Sequence, residues 1–289
     1  MYADDVKIFR KITNEDDSRE LQNELDKITS WCTANNMSLN VNKCEVISFK
    51  HASIDTVLYN YEINFTTIKR VDVVKDLGVL LDSNLTFSQH INQIVAKAKR
   101  TLYFVKILSK DFQCPYVTKQ LYVSLVRPIL EYCSTVWFPD TNILKCKIES
   151  VQKQFLGFAL SHLPWSGRFR RPKYTHRLGL IDLDSLEERR ELATATFTFN
   201  CLNAKVLVPD IVRKFVFKHS VVKTRFAVSY QRLELPPEVK PYAKFVDNSP
   251  LRRCIYIFNK YGICYNRPLS VGSYKNKIRL LFKENRRKP

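Results

Sequence analysis

The sequence predicts an α+β protein in which a short antiparallel sheet with one helix precedes a helical bundle and a mostly helical, loop-rich extension. Three observations support this. β-Prone runs and turn residues dominate up to Asp82, with one helical stripe among them. From Phe87 onward, apolar residues recur at helical spacing. The charge changes at the same point, since residues 1–87 carry 10 Lys/Arg against 14 Asp/Glu and residues 88–289 carry 37 against 14.

The composition is that of a globular protein, with 289 residues, 45% hydrophobic and 12% aromatic. No apolar run approaches the ~20 residues of a membrane span, and we see no signal peptide. We therefore expect an intracellular protein that is not secreted, in the nucleus or the cytoplasm. The eight cysteines have no zinc-site spacing and are expected to be reduced and mostly buried. A net charge of +19 indicates polyanionic partners, most often nucleic acid, and no membrane.

The chain opens with Met1-Tyr2-Ala3-Asp4-Asp5, and a β-prone run over residues 6–11 predicts a strand behind it. Adjacent carboxylates repel each other, so holding two at one turn is typical of a divalent cation site, where hard oxygen ligands suit Mg²⁺. Two such ions about 4 Å apart can stabilise the attacking and leaving oxygens of a phosphoryl displacement. In isolation the motif is short, and a solvated turn is its alternative interpretation.

One amphipathic helix is predicted over residues 18–36. Asp17 and Glu20 have the spacing of a capping box at its start, and Asn35-Asn36 suits its C-terminal end. Four apolar residues share one helical face and are expected in the core: Leu21, Leu25, Ile28 and Trp31.

Further strands are predicted along the first 82 residues. Residues 44–50 alternate as a strand does, and residues 57–65 and 67–71 indicate a hairpin around Asn64-Phe65-Thr66. Residues 73–82 form a β-branched run broken by Gly78, which predicts one strand with a bulge or a close approach by another backbone.

Three helices over residues 87–110, 117–132 and 145–160 predict a small bundle. The first has an apolar stripe that comprises Ile91, Ile94, Val95, Ala98, Leu102 and Val105. A basic stripe beside it comprises Lys99, Lys106 and Lys110. The second, bent at Pro128, is expected to bury Tyr122, Leu125, Ile129 and Tyr132. The third is expected to bury Ile148, Val151, Phe155 and Phe158.

The remaining residues predict a loop and three more helices. In residues 163–177, basic residues alternate with aromatic ones, which suits base stacking and phosphate contact, with loop packing as the alternative. The basic residues are Arg168, Arg170 and Arg171. Helices are predicted over residues 183–201, 250–261 and 273–285, the second with Ser249 as N-cap and Pro250 at its first position.

The order of these motifs resembles the C-terminal half of the reverse transcriptase of non-LTR (LINE-type) retrotransposons, and is most similar to the jockey-like group. The likeness covers essentially the whole chain. It is carried first by Tyr2-Ala3-Asp4-Asp5, Leu39-Asn40-x-x-Lys43, Val74-Lys75-x-Leu77-Gly78-x-x-x-Asp82 and Phe87-x-x-His90-Ile91. It continues with Leu121-Tyr122, Pro128-Ile129-Leu130-Glu131-Tyr132, Val136-Trp137, Gln152 with Gln154, Arg177-Leu178-Gly179-Leu180, and Asn248-Ser249-Pro250 with Tyr261.

This resemblance implies a nucleotidyltransferase that makes DNA on an RNA template with two Mg²⁺ ions. Asp4 and Asp5 correspond to two metal-binding carboxylates of the palm. Leu77 and Gly78 correspond to the strand that grips the primer, where Lys75 is expected to contact phosphate. The implied domains are a partial palm (1–87), a thumb (88–162) and a basic C-terminal extension (163–289). The thumb is expected to track an RNA–DNA duplex through phosphate contacts.

In the family, a third metal-binding carboxylate and the fingers precede the Tyr-Ala-Asp-Asp motif, with which this sequence opens. We therefore expect residues 1–289 alone to be inactive and to hold Mg²⁺ poorly, with the upstream half of a polymerase as a candidate partner. Two alternatives stay open. The chain could be a non-catalytic module that binds RNA or an RNA–DNA duplex, or a decayed transposon relic without function.

Overall fold

The computed structural model describes residues 5–49, 57–111, 114–139, 141–161, 172–219, 231–234, 249–261 and 270–287. The chain divides into two compact units, Met1–Thr86 and Phe87–Pro289, called unit 1 and unit 2 below. Helices predominate and the strands are few and short, so the predicted α+β class is confirmed. The division into palm, thumb and extension stays a prediction.

Unit 1 has one long helix, α1 (Glu15–Ala34), which begins three residues before the predicted start. The capping box uses Asn14 and Asp17 rather than Asp17 and Glu20. The Asn14 side chain accepts a bond from the Asp17 amide at 2.8 Å, and the Asp17 carboxylate accepts bonds from the Thr13 amide and hydroxyl. These bonds keep the pKa of Asp17 below its ordinary value, chiefly through the Thr13 hydroxyl. The helix therefore begins where both hydrogen bonds of a capping box are formed.

The prediction that Trp31 lies in the core is wrong, because 58% of its surface is exposed. The inner face of α1 carries Leu21 and Leu25 against a small cluster of Tyr61, Ile63 and Ile68. Trp31 lies about 120° around the helix from Leu25, since successive residues turn by about 100°. The cluster packs against the Leu21–Leu25 face and leaves the flank that carries Trp31 exposed.

Unit 1 has no single antiparallel sheet among its described residues. Strands β1 (Glu45–Val46) and β4 (Lys69–Arg70) pair in parallel, while β2 (Glu62–Ile63) and β3 (Thr66–Thr67) pair antiparallel. The predicted turn is confirmed, with Asn64 and Phe65 at φ of 48° and 62°, but the hairpin is limited to β2 and β3, because residues 69–70 of the predicted second arm pair with β1. The predicted strand over residues 6–11 is wrong, because only Asp5 forms an isolated β-bridge there.

The predicted continuous strand over residues 73–82 is instead a hairpin. Strands β5 (Val73–Asp76) and β6 (Val79–Asp82) pair antiparallel with Asp76 opposite Val79. Leu77 and Gly78 form the turn with φ of 43° and 86°, and two positive φ values in succession are the geometry that joins twisted strands through two residues. Gly78 therefore marks a chain reversal rather than a bulge.

Unit 2 begins with a helical bundle whose predicted helices are confirmed. It comprises α2 (Ser88–Leu108), α3 (Pro115–Leu121), a π-helical stretch over Tyr122–Val126, α4 (Arg127–Glu131) and α5 (Asn142–Ala159). The wide π turn changes which side chains face inward. Tyr122, Val126 and Leu130 are fully buried, whereas Leu125 and Tyr132, both predicted to be buried, are exposed.

In the second part of unit 2, the helices predicted over residues 183–201, 250–261 and 273–285 are confirmed, and two short helices and a hairpin were not predicted. The helices are α6 (Tyr174–Leu180), α7 (Leu186–Leu202), α8 (Pro209–Val212), α9 (Pro250–Tyr261) and α10 (Val271–Arg287). Strands β7 (Val216–His219) and β8 (Gln231–Glu234) pair antiparallel. Helices α7, α9 and α10 share a core in which Phe199 stacks on Tyr274 with ring centroids 4.2 Å apart. The predicted cap of α9 is confirmed, since the Ser249 hydroxyl accepts the Arg252 amide at 3.3 Å.

Two further observations concern membranes and cysteines. In the described part of the chain, none of the helices combines the length and apolarity that crossing a bilayer requires. The cysteines that the structure describes are free thiols, and burial raises the pKa of Cys44, Cys201 and Cys254. Burial thus favours the neutral thiol at these positions.

Candidate nucleic-acid interface

The chain that follows the N-terminal motif contacts the β5–β6 hairpin in unit 1. Asp5 is exposed, while Asp4 lies outside the described residues. The Lys7 ammonium group forms an ion pair with the carboxylate of Asp76, the residue directly before the hairpin turn. Asp5 is two residues before Lys7, so this ion pair joins the chain next to Asp5 to the strand that leads into the hairpin turn.

The tip of this hairpin is accessible. The Leu77 side chain is 42% exposed, and Lys75 is an exposed residue of β5 opposite Leu80. Gly78 has no Cβ, so a second backbone can approach the turn more closely there than at other residues. An exposed cation next to a turn without side-chain bulk is an arrangement that a nucleic-acid backbone can contact.

Asp82, the last residue of the motif that begins at Val74 and includes Leu77-Gly78, has a structural role. Its carboxylate accepts the Thr86 amide at 3.0 Å and the Thr86 hydroxyl at 3.1 Å, and its carbonyl accepts the Leu85 amide at 2.8 Å. These bonds fix the turn after β6, since a short side chain that bonds nearby backbone groups stabilises a reversal. Asp82 therefore shapes the chain where unit 1 ends.

The described residues do not form a complete magnesium site. Mg²⁺ takes near-octahedral oxygen ligands, usually from one or two carboxylates with water and substrate phosphate. Asp5 is the described carboxylate of the motif, and the residues that the structure describes contain no group of three or more His, Cys, Asp or Glu side chains suited to a metal.

A basic cleft, called the α2–α5 cleft below, opens on the surface of unit 2. It measures about 650 Å³ and is lined by residues of α2, α5 and α6. Its cations are Lys106, Lys153 and Arg177, and none of the described residues that line it is acidic. The other lining residues are Ser150, Gln154, Gly157, Phe158 and Ser161. An open cleft with three cations and several polar groups suits an extended phosphate backbone better than an enclosed small molecule.

Aromatic rings support two of these cations. The Lys106 ammonium nitrogen lies 5.9 Å from the centroid of the Phe158 ring, and that of Lys153 lies 5.3 Å from the Tyr174 ring. A cation over a ring face gains electrostatic attraction of about 0.5–1 kcal/mol at exposed sites. The two charges are therefore held at the cleft rather than spread over their full rotamer range.

A buried hydrogen-bond network below the cleft fixes α5 against its neighbours. The Tyr122 hydroxyl donates to the Gln152 side-chain oxygen at 2.9 Å, and the Gln152 side-chain nitrogen donates to Asp184 O at 2.9 Å. The same nitrogen is 3.0 Å from the Tyr174 hydroxyl, which itself donates to the Glu149 carboxylate. Burial, together with the Glu149 carboxylate, raises the pKa of Tyr122 and of Tyr174, so both phenols stay neutral donors.

The predicted basic residues have different fates in the structure. Lys106 lines the cleft, while Lys99 and Lys110 are exposed on or just after the same helix. Arg168, Arg170 and Arg171 lie outside the described residues. The sequence did not single out Lys153 as a binding residue; its one signal is an outward position directly after the buried Gln152.

Two curated relatives match the chain over a shared segment. The chain is 29% identical over 177 residues to the RNA-directed DNA polymerase from mobile element jockey of Drosophila funebris. It is 27% identical over 175 residues to the polymerase of the same description from Drosophila melanogaster. The predicted resemblance to jockey-like reverse transcriptases is confirmed over the matched segment, and its extension to essentially the whole chain stays a prediction. Each match covers 58% of this chain and 18% of the jockey polymerase. No family model and no solved structure matches the chain significantly.

Proposed function

We propose that this chain is the segment of a jockey-like reverse transcriptase that holds the RNA–DNA template–primer duplex. The α2–α5 cleft carries this proposal, because Lys106, Lys153 and Arg177 converge there from three helices. The surrounding charge supports it, since residues 88–289 carry 37 Lys/Arg against 14 Asp/Glu. Phosphate contacts of this kind are independent of sequence, as a polymerase that copies any template requires.

The hairpin in unit 1 extends the proposal to the primer end. We assign Lys75 to a primer phosphate and the Leu77-Gly78 turn to close contact with the primer backbone. Asp4 and Asp5 then serve as two of the carboxylates that hold the Mg²⁺ ions of the complete polymerase, which supply charge stabilisation during phosphoryl transfer. The ion pair between Lys7 and Asp76 supports this assignment, because it joins the chain just after Asp5 to the strand before the hairpin turn.

A salt titration tests the duplex proposal. Binding of a labelled RNA–DNA duplex to the whole chain, followed by fluorescence anisotropy, is expected to weaken steeply with salt, because phosphate contacts release counterions. The variant Lys106→Gln with Lys153→Gln is expected to reduce the slope of log K against log salt by about 2, at close to one unit per lost phosphate contact.

The control variant is Lys214→Gln with Lys277→Gln, which removes two exposed charges elsewhere in unit 2. It is expected to leave most of the slope intact. An affinity that does not respond to salt, or equal effects of the two double variants, would overturn the assignment of the cleft.

A second candidate function is a module that binds RNA or an RNA–DNA duplex without catalysis. The charge of unit 2 supports it, since residues 88–289 carry 37 Lys/Arg against 14 Asp/Glu. Both candidates predict salt-sensitive duplex binding, so the titration does not separate them. A primer-extension assay separates the two candidates.

A further inference from the structure

The outward face of α2 carries large apolar side chains that the described fold leaves uncovered. Tyr103 is 69% exposed, Phe104 is 54% exposed and Ile107 is 55% exposed. Single exposed apolar residues are ordinary on protein surfaces. Three within five residues of one helix form a contiguous strip, and such strips mark interaction surfaces.

Cations flank this strip on both sides. Taking Arg100 as the centre, Tyr103, Phe104 and Ile107 lie within about 60° of it around the helix, since each residue turns by about 100°. Lys97 lies about 60° away on one side and Lys99 about 100° away on the other. These three basic residues are exposed. The face therefore alternates aromatic and basic groups, and Lys97 to Ile107 extends about 15 Å along the axis.

This combination fits single-stranded nucleic acid better than a duplex. A duplex keeps the faces of its bases inside its own stack, so exposed rings cannot reach them. An unpaired strand presents base faces that stack on aromatic rings, while its phosphates are attracted to flanking cations. The basic surroundings argue for a polyanion as the occupant, because Lys97, Lys99, Arg100 and Lys110 outnumber Asp111, the exposed carboxylate just beyond the helix end.

We propose that this stacking face of α2, defined by Arg100, Tyr103, Phe104 and Ile107, binds single-stranded RNA or DNA by stacking bases on Tyr103 and Phe104. The inference rests on the proposed nucleic-acid function and deepens it. Lys106 lies on the flank of α2 that lines the α2–α5 cleft. The cleft and the stacking face are thus neighbouring surfaces of one helix, so a duplex on the first can continue as an unpaired strand on the second.

The test compares two probes on the whole chain: a short labelled oligothymidylate and the labelled RNA–DNA duplex. The variant Tyr103→Ala with Phe104→Ala is expected to bind the oligothymidylate roughly 30-fold more weakly, because each lost stack reduces affinity several-fold or more. Duplex affinity is expected to stay within about twofold. The variant Tyr103→Trp with Phe104→Trp is expected to restore single-strand binding, because it replaces the rings with larger ones.

The control is Phe65→Ala with Tyr256→Ala, which removes one phenylalanine and one tyrosine that are exposed elsewhere. Equal weakening by this control, or unchanged oligothymidylate binding in the Tyr103/Phe104 variant, would overturn the stacking face alone. Loss of salt-sensitive duplex binding in the wild-type chain would overturn the proposed function itself. A dimer that dissociates in the Tyr103/Phe104 variant, with single-strand affinity unchanged, would assign the face to a second copy and overturn the proposal.

Discussion

Gln152 joins three parts of unit 2 through one buried amide. Its side chain is fully buried and contacts Tyr122, Tyr174 and the carbonyl of Asp184. A buried donor or acceptor that loses its partner costs about 1–3 kcal/mol, because water can no longer compensate it. Gln152 therefore stabilises the fold below the cleft.

Replacing Gln152 by leucine is expected to lower the free energy of unfolding by about 2–4 kcal/mol, because the Tyr122 hydroxyl keeps its burial and loses its acceptor. Urea denaturation followed by circular dichroism measures the change. The matched control is Gln154→Leu, two residues along the same helix at an exposed position, which is expected to change stability by under about 0.5 kcal/mol. Similar losses in both variants would contradict the role assigned to the network.

His90 predicts a dependence of stability on pH. Its ring is buried and packs edge-on against Trp137 with centroids 5.3 Å apart, and burial lowers its pKa below 6.5. The unfolded chain then binds a proton more readily than the folded one. Stability that is present above about pH 6.5 is lost as the pH falls toward the lowered pKa, by at most about 1.4 kcal/mol per pH unit.

The measurement is the free energy of unfolding at several pH values between 7 and 5. His90→Asn is expected to remove part of the loss, because the group that takes up the proton on unfolding is absent. His176→Asn, at an exposed position, is expected to retain it. The assignment is wrong if the two variants have the same pH profile as the wild type.

At the scale of elements, the two-residue turn of the β5–β6 hairpin depends on Gly78. A non-glycine residue at φ of 86° meets steric strain of about 1–2 kcal/mol, so Gly78→Ala is expected to destabilise unit 1 by about that amount. The opposite sign is expected for Gly179→Ala in α6, where an added Cβ meets nothing within 4 Å and alanine favours the helix by up to about 1 kcal/mol. Urea denaturation of both variants checks the pair. Changes in the free energy of unfolding that have the same sign in both variants would contradict the turn geometry or the helix assignment.

The passage from α3 to α4 shows how a single wide turn alters a helix face. Pro128 stands at the start of α4 and has no amide proton to donate, and the π-helical stretch over Tyr122–Val126 precedes it. The Tyr132 amide still bonds to the Pro128 carbonyl at 3.0 Å, so the helix resumes after the interruption. Leu130 is buried as a result, and Leu125 faces solvent.

At the scale of the whole molecule, charge distinguishes the two units. Residues 1–87 carry an excess of four acidic groups, while residues 88–289 carry an excess of 23 basic groups. A basic surface of this size attracts nucleic acid and raises association rates, and salt weakens both effects. The acidic motif and the basic cleft therefore belong to units with different electrostatic roles.

A primer-extension assay decides between the two proposed functions. The 289-residue polypeptide by itself is expected to bind a primed RNA template without extending the primer, as the non-catalytic candidate requires. Incorporation of labelled nucleotide with Mg²⁺ is the readout, and the duplex-binding assay confirms that the protein is folded. Mg²⁺-dependent extension that Asp4→Ala abolishes would contradict this expectation and favour an active polymerase.

The sequence determined the long helices, the cap of α9 and the family likeness, because local periodicity and motif order need no tertiary information. The buried stripe of α2 and the start of α9 at Ser249 are examples. It did not determine the β5–β6 hairpin, since a glycine in a β-branched run fits a bulge as well as a turn. Nor did it exclude Trp31 from the core, because burial depends on how much partner surface the fold provides.

The tertiary structure alone decided where charges meet. Lys106, Lys153 and Arg177 are separated by 24 or more residues and converge because Gln152 and its partners fix α5 against α6 and the chain before α7. The exposed aromatic strip of α2 likewise depends on the tertiary structure, because packing of the opposite face against the bundle decides which face stays exposed. Sequence patterns act over one or two helical turns, whereas a binding surface is assembled by packing between distant segments.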